Sequence, residues 1–236
     1  NDKNKRLSDI IFALNKKKDL IRVRYYTSHP KDMTKDLLEA HNKCSKLMPL
    51  LHLPVQSGSD KILKSMNRKH NIEEYLKIIN ILKEKNPKIE FASDFIIAYP
   101  GENKDDFNKT CKLMDKVKFI NSFSFIFSPR PGTPASEMKM IDEKLAKKRL
   151  SIFQNIAENI KIDYKKKLLN QIVKVLFENK MLREKDKYFG RDEYQNPVIV
   201  YSKKNIVGQE KKVLIKKFSH HTIHGVVMNI DNFLAA

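Results

Sequence analysis

Four short apolar runs, each closed by a polar elbow and followed by a helical repeat, constrain this chain more than any other feature. Leu20, Ile21, Val23 and Tyr25 lead into the elbow Thr27, Ser28, His29, Pro30, and Leu50, Leu51, Leu53 and Val55 lead into residues 56–60. Ile89, Phe91 and the run Phe95, Ile96, Ile97, Ala98 lead into 99–102, and residues 119–127 lead into the proline-rich loop 128–134. Runs this short and this apolar suit strands buried on both faces. Their starts lie about 30 to 40 residues apart, the length of a strand–helix–strand unit. The fold expected is α/β, a partial parallel (β/α) barrel whose elbows converge at the rim where such barrels bind ligands.

The helices between the runs carry their own start signals. Leu7, Ile10, Ile11 and Leu14 repeat at helical spacing and read as the last helix of a unit whose beginning lies elsewhere. Thr34 opens a helix to about residue 46, and Ser59 or Asp60 caps the one bearing Ile62, Leu63 and Met66. Asn71 and Glu74 form a capping box, and Asn103 opens a helix whose inward face is Phe107, Cys111, Met114 and Val117. A long helix is expected over 142–168. After Asn170 the pattern changes to short strands at 172–177, 198–201, 213–215 and 222–228, with a charged, turn-like stretch at 185–196. The expected division is residues 1–169, barrel and connector helix, and 170–236, a small antiparallel β-barrel of about 65 residues. Residues 234–236 read as a frayed end.

The formal charge of +19 favours a polyanionic partner such as RNA, since cations that contact phosphate release counterions. The excess is spread along the whole chain, so a general richness in lysine explains it equally well. No apolar run approaches the roughly 18 residues of a membrane span, and a soluble protein without a membrane partner is expected. The two cysteines, Cys44 and Cys111, fall on apolar helix faces in different segments, which fits core packing and the reducing cytoplasm better than a disulfide scaffold.

Asp94 interrupts an apolar strand, a position that costs free energy unless its oxygens are paired by ligand hydroxyls or by a neighbouring elbow. Gln56, at the first polar position of its elbow, donates and accepts, as a ribose edge or a base requires. Arg68, past the helix that starts from that elbow, is placed to return a bidentate grip on a carboxylate or to stay in solvent. His29 is the histidine best placed to meet substrate, and His52 reads as core or as support. No pair of histidines shares a helix face, which argues against a histidine-built metal site.

Three blocks in order, LHLPVQSGSDKILKSMNR, SDFIIAYPGE and NSFSFIFSPRPGTPAS, resemble the radical S-adenosylmethionine (SAM) methylthiotransferases, most of all the branch that methylthiolates isopentenyl-adenosine beside the tRNA anticodon. The resemblance implies a radical SAM barrel, of which units three to six are represented, followed by a TRAM domain, a small RNA-binding β-barrel. It implies Gln56 and Asp94 on the ribose of S-adenosylmethionine, Arg68 on its carboxylate, Ile96 at the adenine and Phe127 as a weaker adenine-side contact. It implies tRNA as partner, a monomer when complete, and a mechanism using one SAM molecule for methyl transfer and another for the 5′-deoxyadenosyl radical. Ala98 stands where the family usually has glycine, so strain is expected if the backbone there needs positive φ.

The cysteine motifs that hold the family's [4Fe-4S] clusters do not occur in this sequence. The expectation is a chain that binds no cluster alone and does not turn over. With the opening at Asn1 and the mid-unit start, this reads as the C-terminal part of a longer enzyme, from a split gene, a truncation or a partial chain. The missing N-terminal part is then a partner. Lys174, Arg191, Lys211, Lys212, Lys216 and His29 are the candidate RNA contacts, with Tyr188, Phe189 or Tyr194 as stacking platforms. A second function class is a non-catalytic RNA-binding module that retains a TRAM domain. A third, a barrel enzyme acting on a phosphorylated metabolite, lacks any Gly-rich phosphate loop.

Overall fold

The computed structural model of the chain describes residues 5–26 and 29–228. The elbow residues Thr27 and Ser28 and the tail 234–236 lie outside the described residues. The chain divides into two compact units, Asn1–Lys161 and Ile162–Ala236.

The first unit is built on a three-stranded parallel sheet, in the order β1 (Leu50–His52), β2 (Glu90–Ile97), β3 (Asn121–Ile126). In chain order the helices are α1 (Leu7–Asn15), α2 (Lys35–Lys43), α3 (Asp60–Ser65), α4 (Ile72–Lys85), α5 (Lys104–Val117) and α6 (Glu143–Leu168). Period-two alternation in β2 decides which side faces the helices. Phe91, Ser93, Phe95 and Ile97 are fully buried, whereas Asp94 and Ile96 turn to the other face and are only half-buried. Phe95 sits 4.7 Å from the Phe153 ring of α6 and 5.4 Å from Phe119. α4 and α5 begin with reciprocal capping boxes, Asn71 with Glu74 and Asn103 with Asp106.

The stretch expected to be a strand at Leu20–Tyr25 forms no strand among the described residues and contributes an isolated parallel bridge, Val23 to Leu47. Val23 alone in it is buried, and Ile21 is 41% exposed, so one contact is all the alternation supplies. The helix opened by Thr34 ends at Lys43, with Cys44 as its cap.

The second unit is a closed barrel of five strands in the order β4-β5-β6-β8-β7: β4 (Ile172–Lys180), β5 (Lys187–Asp192), β6 (Pro197–Tyr201), β7 (Glu210–Phe218) and β8 (Ile223–Val227). Every pairing is antiparallel except β6 with β8, which is parallel. Val175, Phe177, Tyr188, Val198, Val200, Val213, Ile215 and Ile223 fill its core. β5 lies inside the stretch expected to be turn-like, because its inward positions are Tyr188, Gly190 and Asp192 and only one of them is apolar. A Cβ on Gly190 would come 2.4 Å from the Leu176 carbonyl oxygen, so this strand approaches β4 too closely for a side chain. Asp192 is buried and accepts from the Asn196 and Tyr194 backbone N–H groups, each at 2.8 Å. Among the described residues no helix is long and apolar enough to cross a membrane.

Candidate cofactor cleft

The elbow at Gln56 is shaped by α5. Gly58 N–H donates to Thr110 Oγ1 at 3.0 Å, and a Cβ on Gly58 would meet the Lys109 carbonyl oxygen at 2.5 Å, so only glycine allows the helix this close. Of the two caps expected for α3, Ser59 or Asp60, Ser59 takes the N-cap position, but its hydroxyl donates to Asp106 Oδ1 at 2.7 Å and caps nothing. Asp60 Oδ1 accepts from Ile72 N–H at 2.8 Å, which serves the start of α4. The QSGSD wording is therefore a set of anchors between one elbow and two helices. Gln56 itself has φ of 74°, in the left-handed region, and its backbone continues the ladder, donating to the Asp94 carbonyl at 3.0 Å and accepting from Ile96 N–H at 2.9 Å. A left-handed non-glycine residue at a sheet end is a strained position of the kind found where a side chain must be aimed.

The neighbouring elbow is held in another way. Ala98 also has positive φ, 59°, and its N–H donates to Glu102 Oε1 at 3.2 Å. Glu102 is buried and ion-paired with Arg149 of α6 at 2.8 Å. Burial pushes the Glu102 carboxyl above its ordinary value, and Arg149 opposes that rise.

Between these elbows and the loop after β3 lies a cleft of about 700 Å³ whose lining includes Gln56, Arg68, Asp94, Ile96 and Phe127. The five residues read from the sequence as cofactor contacts thus share one cavity. Three of them present polar groups that the protein does not use. The Gln56 side-chain amide, the Arg68 guanidinium and Asp94 Oδ2 have no hydrogen bond or ion pair with any described residue. Arg68 is half-buried, and burial lowers its pKa, the mark of a cation partly removed from water. Asp94 Oδ1 accepts from His52 Nε2–H at 3.1 Å. The apolar part of the wall includes Ile96, Phe127 and Phe125. The Phe127 ring stands edge-on to Tyr99 at 4.9 Å, and the Tyr99 hydroxyl donates to the Ser65 carbonyl at 3.0 Å. A planar base between apolar faces, a ribose diol and a carboxylate all find chemical counterparts here, so the residues fit S-adenosylmethionine.

Tyr99, Phe125 and Asn67 line the cleft and were not singled out in the sequence. Phe123, Phe125 and Phe127 do alternate along the third run, and that period-two spacing was the available signal for Phe125. His29 is placed beside His70, with ring centroids 5.0 Å apart, and not among the residues lining the cleft. Burial, then the Arg68 charge, lowers the His29 pKa.

An iron–sulfur cluster does not fit the residues present. Among the described residues no group of three or more His, Cys, Asp or Glu side chains could hold a metal ion. Burial raises the thiol pKa of Cys44, and burial followed by Asp115 and Glu102 pushes Cys111 up to about 11, so neither is a ready thiolate.

In the barrel, Lys174 of β4 and Lys212 of β7 are directly opposite partners, and both are exposed, as is Lys216; Lys211 is half-buried. Arg191 ion-pairs with Glu178 and lies 5.1 Å over the Phe189 ring. Tyr188 is only 3% exposed and fills the core, so it cannot stack on a base; Tyr194 is half-buried with its ring 6.0 Å from Tyr164. Of the three aromatics expected as platforms, Phe189 keeps an outward position.

A family model described as the radical SAM superfamily matches residues 2–114. The chain is 52% identical over 223 residues to a tRNA-2-methylthio-N(6)-dimethylallyladenosine synthase from Pelagibacter ubique, covering 94% of this chain and 50% of that protein. It is 40% identical to the synthase of the same name from Zymomonas mobilis, covering 98% of this chain and 52% of that protein. The chain spans about half the length of the curated relatives it matches. Among solved structures, coproporphyrinogen III oxidase from Escherichia coli, described as a radical SAM enzyme, aligns with a TM-score of 0.50 at 11% identity, covering 90% of this chain and 53% of that one.

Proposed function

This chain belongs to the radical SAM methylthiotransferase family, and from that premise we propose that its cleft binds S-adenosylmethionine and that it acts as the C-terminal portion of a tRNA-modifying enzyme. The reaction is addition of a 2-methylthio group to isopentenyl-adenosine next to the anticodon. Gln56 and Asp94 hold the ribose, Arg68 the carboxylate, Ile96 the adenine, and Phe127 adds a weaker contact on the adenine side. What supports the reading is that three unused polar groups, on Gln56, Arg68 and Asp94, face one cavity. When bound, S-adenosylmethionine supplies the methyl group; the protein side chains orient it and exclude water. In this reading the part played by the first unit is to hold the nucleoside.

The test is titration of the full chain with S-adenosylhomocysteine. Asp94→Ala and Gln56→Ala should each weaken binding about tenfold, the equivalent of one charge-assisted or well-placed hydrogen bond. Equal affinity in both variants overturns the assignment.

The closed barrel, complete with its own core, favours a second reading in which the chain is a non-catalytic RNA-binding module. Lys174 and Lys212 stand directly opposite on adjacent strands, an arrangement of like charges that a bound phosphate would offset. Lys174→Glu with Lys212→Glu should lower tRNA affinity and flatten its salt dependence by about two counterions. An unchanged salt slope counts against the barrel as the RNA reader. Binding of tRNA without any binding of S-adenosylhomocysteine favours the module over the enzyme portion.

A further inference from the structure

Asp94 is the carboxylate assigned to the ribose, and a carboxylate on a strand has a broad, two-fold preference for its terminal torsion. Left alone, it would present either oxygen to the cleft in many orientations. Here it is not left alone. His52, the last residue of β1, pairs in register with Ala92, two residues before Asp94, and its Nε2–H donates to Asp94 Oδ1 at 3.1 Å. The imidazole is 14% exposed and has two aromatic neighbours, Tyr26 edge-on at 5.7 Å and Phe123 edge-on at 6.5 Å. Neither ring lies parallel to it, so together they restrict both its tilt and its position.

We propose that His52 is a positioning residue for Asp94, directing the carboxylate's second oxygen at the cis-diol of a bound nucleoside. The proposal rests on the reading of Asp94 as the ribose contact and deepens it. Asp94 is 32% exposed, so water competes for its lone pairs, and a diol wins that competition only if the acceptor is already aimed. The His52 donor engages one oxygen, and Oδ2, on a residue that lines the cavity, has no hydrogen bond to the described residues. No contact between His52 and ligand is required. The effect should appear as discrimination at the ribose and not as general affinity.

The experiment compares S-adenosylhomocysteine with its 2′-deoxyadenosyl counterpart on the full chain, by titration calorimetry. The natural chain should prefer the ribose form about tenfold, as expected for one hydrogen bond to a charged acceptor. His52→Phe keeps an aromatic ring between Tyr26 and Phe123 but removes the donor, and it should lower the preference to about threefold or less. His52→Gln restores an N–H donor and should recover most of it. If His52→Phe keeps the full preference, or if His52→Gln and His52→Phe behave alike, the positioning role is overturned. The underlying reading fails differently: the natural chain then shows no ribose preference, and Asp94→Asn leaves binding unchanged. Should His52→Phe not fold, His52→Leu with a matching far-ultraviolet spectrum carries the same comparison.

Discussion

Replacing Arg149 by methionine tests how the cleft is held from behind. The Arg149 and Glu102 side chains are 8% and 0% exposed, and Nη1 of the arginine donates both to Glu102 Oε1 at 2.8 Å and to the Glu102 carbonyl at 3.0 Å. The guanidinium also lies 5.6 Å over the Phe107 ring. Methionine keeps most of the stem's packing but leaves a buried carboxylate whose Oε2 already has no partner. Breaking a buried pair in this way costs about 3–5 kcal/mol, a large share of the stability of any domain. The loss has a pH signature. Burial raises the Glu102 pKa in the folded state, so the folded state holds that proton more readily than the unfolded one, and stability falls as pH rises above the ordinary carboxylate value of 4.5. Without Arg149 the rise is larger and its window extends upward. Urea unfolding followed by circular dichroism should therefore show a larger deficit at pH 8 than at pH 5. Adding Glu102→Gln, which removes the charge and keeps an oxygen for Ala98 N–H, should recover about 2 kcal/mol or more at pH 8. A deficit under about 1 kcal/mol, or one that does not change with pH, refutes the account.

Two further substitutions probe particular residues. Ala98→Gly removes a left-handed alanine, worth about 1–2 kcal/mol, against an unfolded-state entropy cost of about 0.4–1 kcal/mol. A net gain of up to about 1 kcal/mol should raise the melting temperature by about 2–4 °C; a clear loss would show that the elbow does not need positive φ. His41 is buried and shares a 2.6 Å hydrogen bond with the Tyr25 hydroxyl, and burial lowers its pKa to about 4. The unfolded chain takes up that proton first, so stability is whole above pH 6.5 and declines as pH falls toward 4, by about 3 kcal/mol. His41→Gln keeps an acceptor for Tyr25 and should flatten the pH profile of unfolding across that window.

Apolar patterning revealed what depends on burial. The run at β2 was read as buried on both faces; the structure buries Phe91, Ser93, Phe95 and Ile97 on one and turns Asp94 and Ile96 to the cleft on the other. The capping box at Asn71 and the helix start at Asn103 were readable because cap chemistry is local, whereas the box that Asn103 forms with Asp106 was not singled out. The same logic misled at Ser59, whose hydroxyl has a nonlocal competitor, Asp106, 47 residues away in sequence. β5 escaped notice for a related reason. In a small barrel the inward side of a strand need not be apolar, and Gly190 and Asp192 serve close approach and turn closure, functions that a hydrophobicity pattern does not register.

The cleft marks the boundary between what patterning and what resemblance can supply. From residue chemistry alone, the solvated reading of Arg68 was the stronger one, and 12 positions of separation from Gln56 say nothing about distance. The fold brings them together: Arg68, which follows α3, and Gln56, in the elbow from which α3 starts, line one cavity. Two of the chain's left-handed residues lie here. Gln56 and Ala98, both non-glycine residues at positive φ, flank the Asp94–Ile96 stretch from adjacent elbows. Left-handed alanine and glutamine are disfavoured wherever glycine would serve. At Gln56 the side chain lines the cleft, and on the proposed reading that is what glycine could not supply. At Ala98 no such need is visible, since its methyl is buried and does not line the cleft. The two outliers therefore differ in kind: replacing Gln56 by glycine should relax the backbone and weaken nucleoside binding together, whereas Ala98→Gly should relax the backbone and leave binding intact.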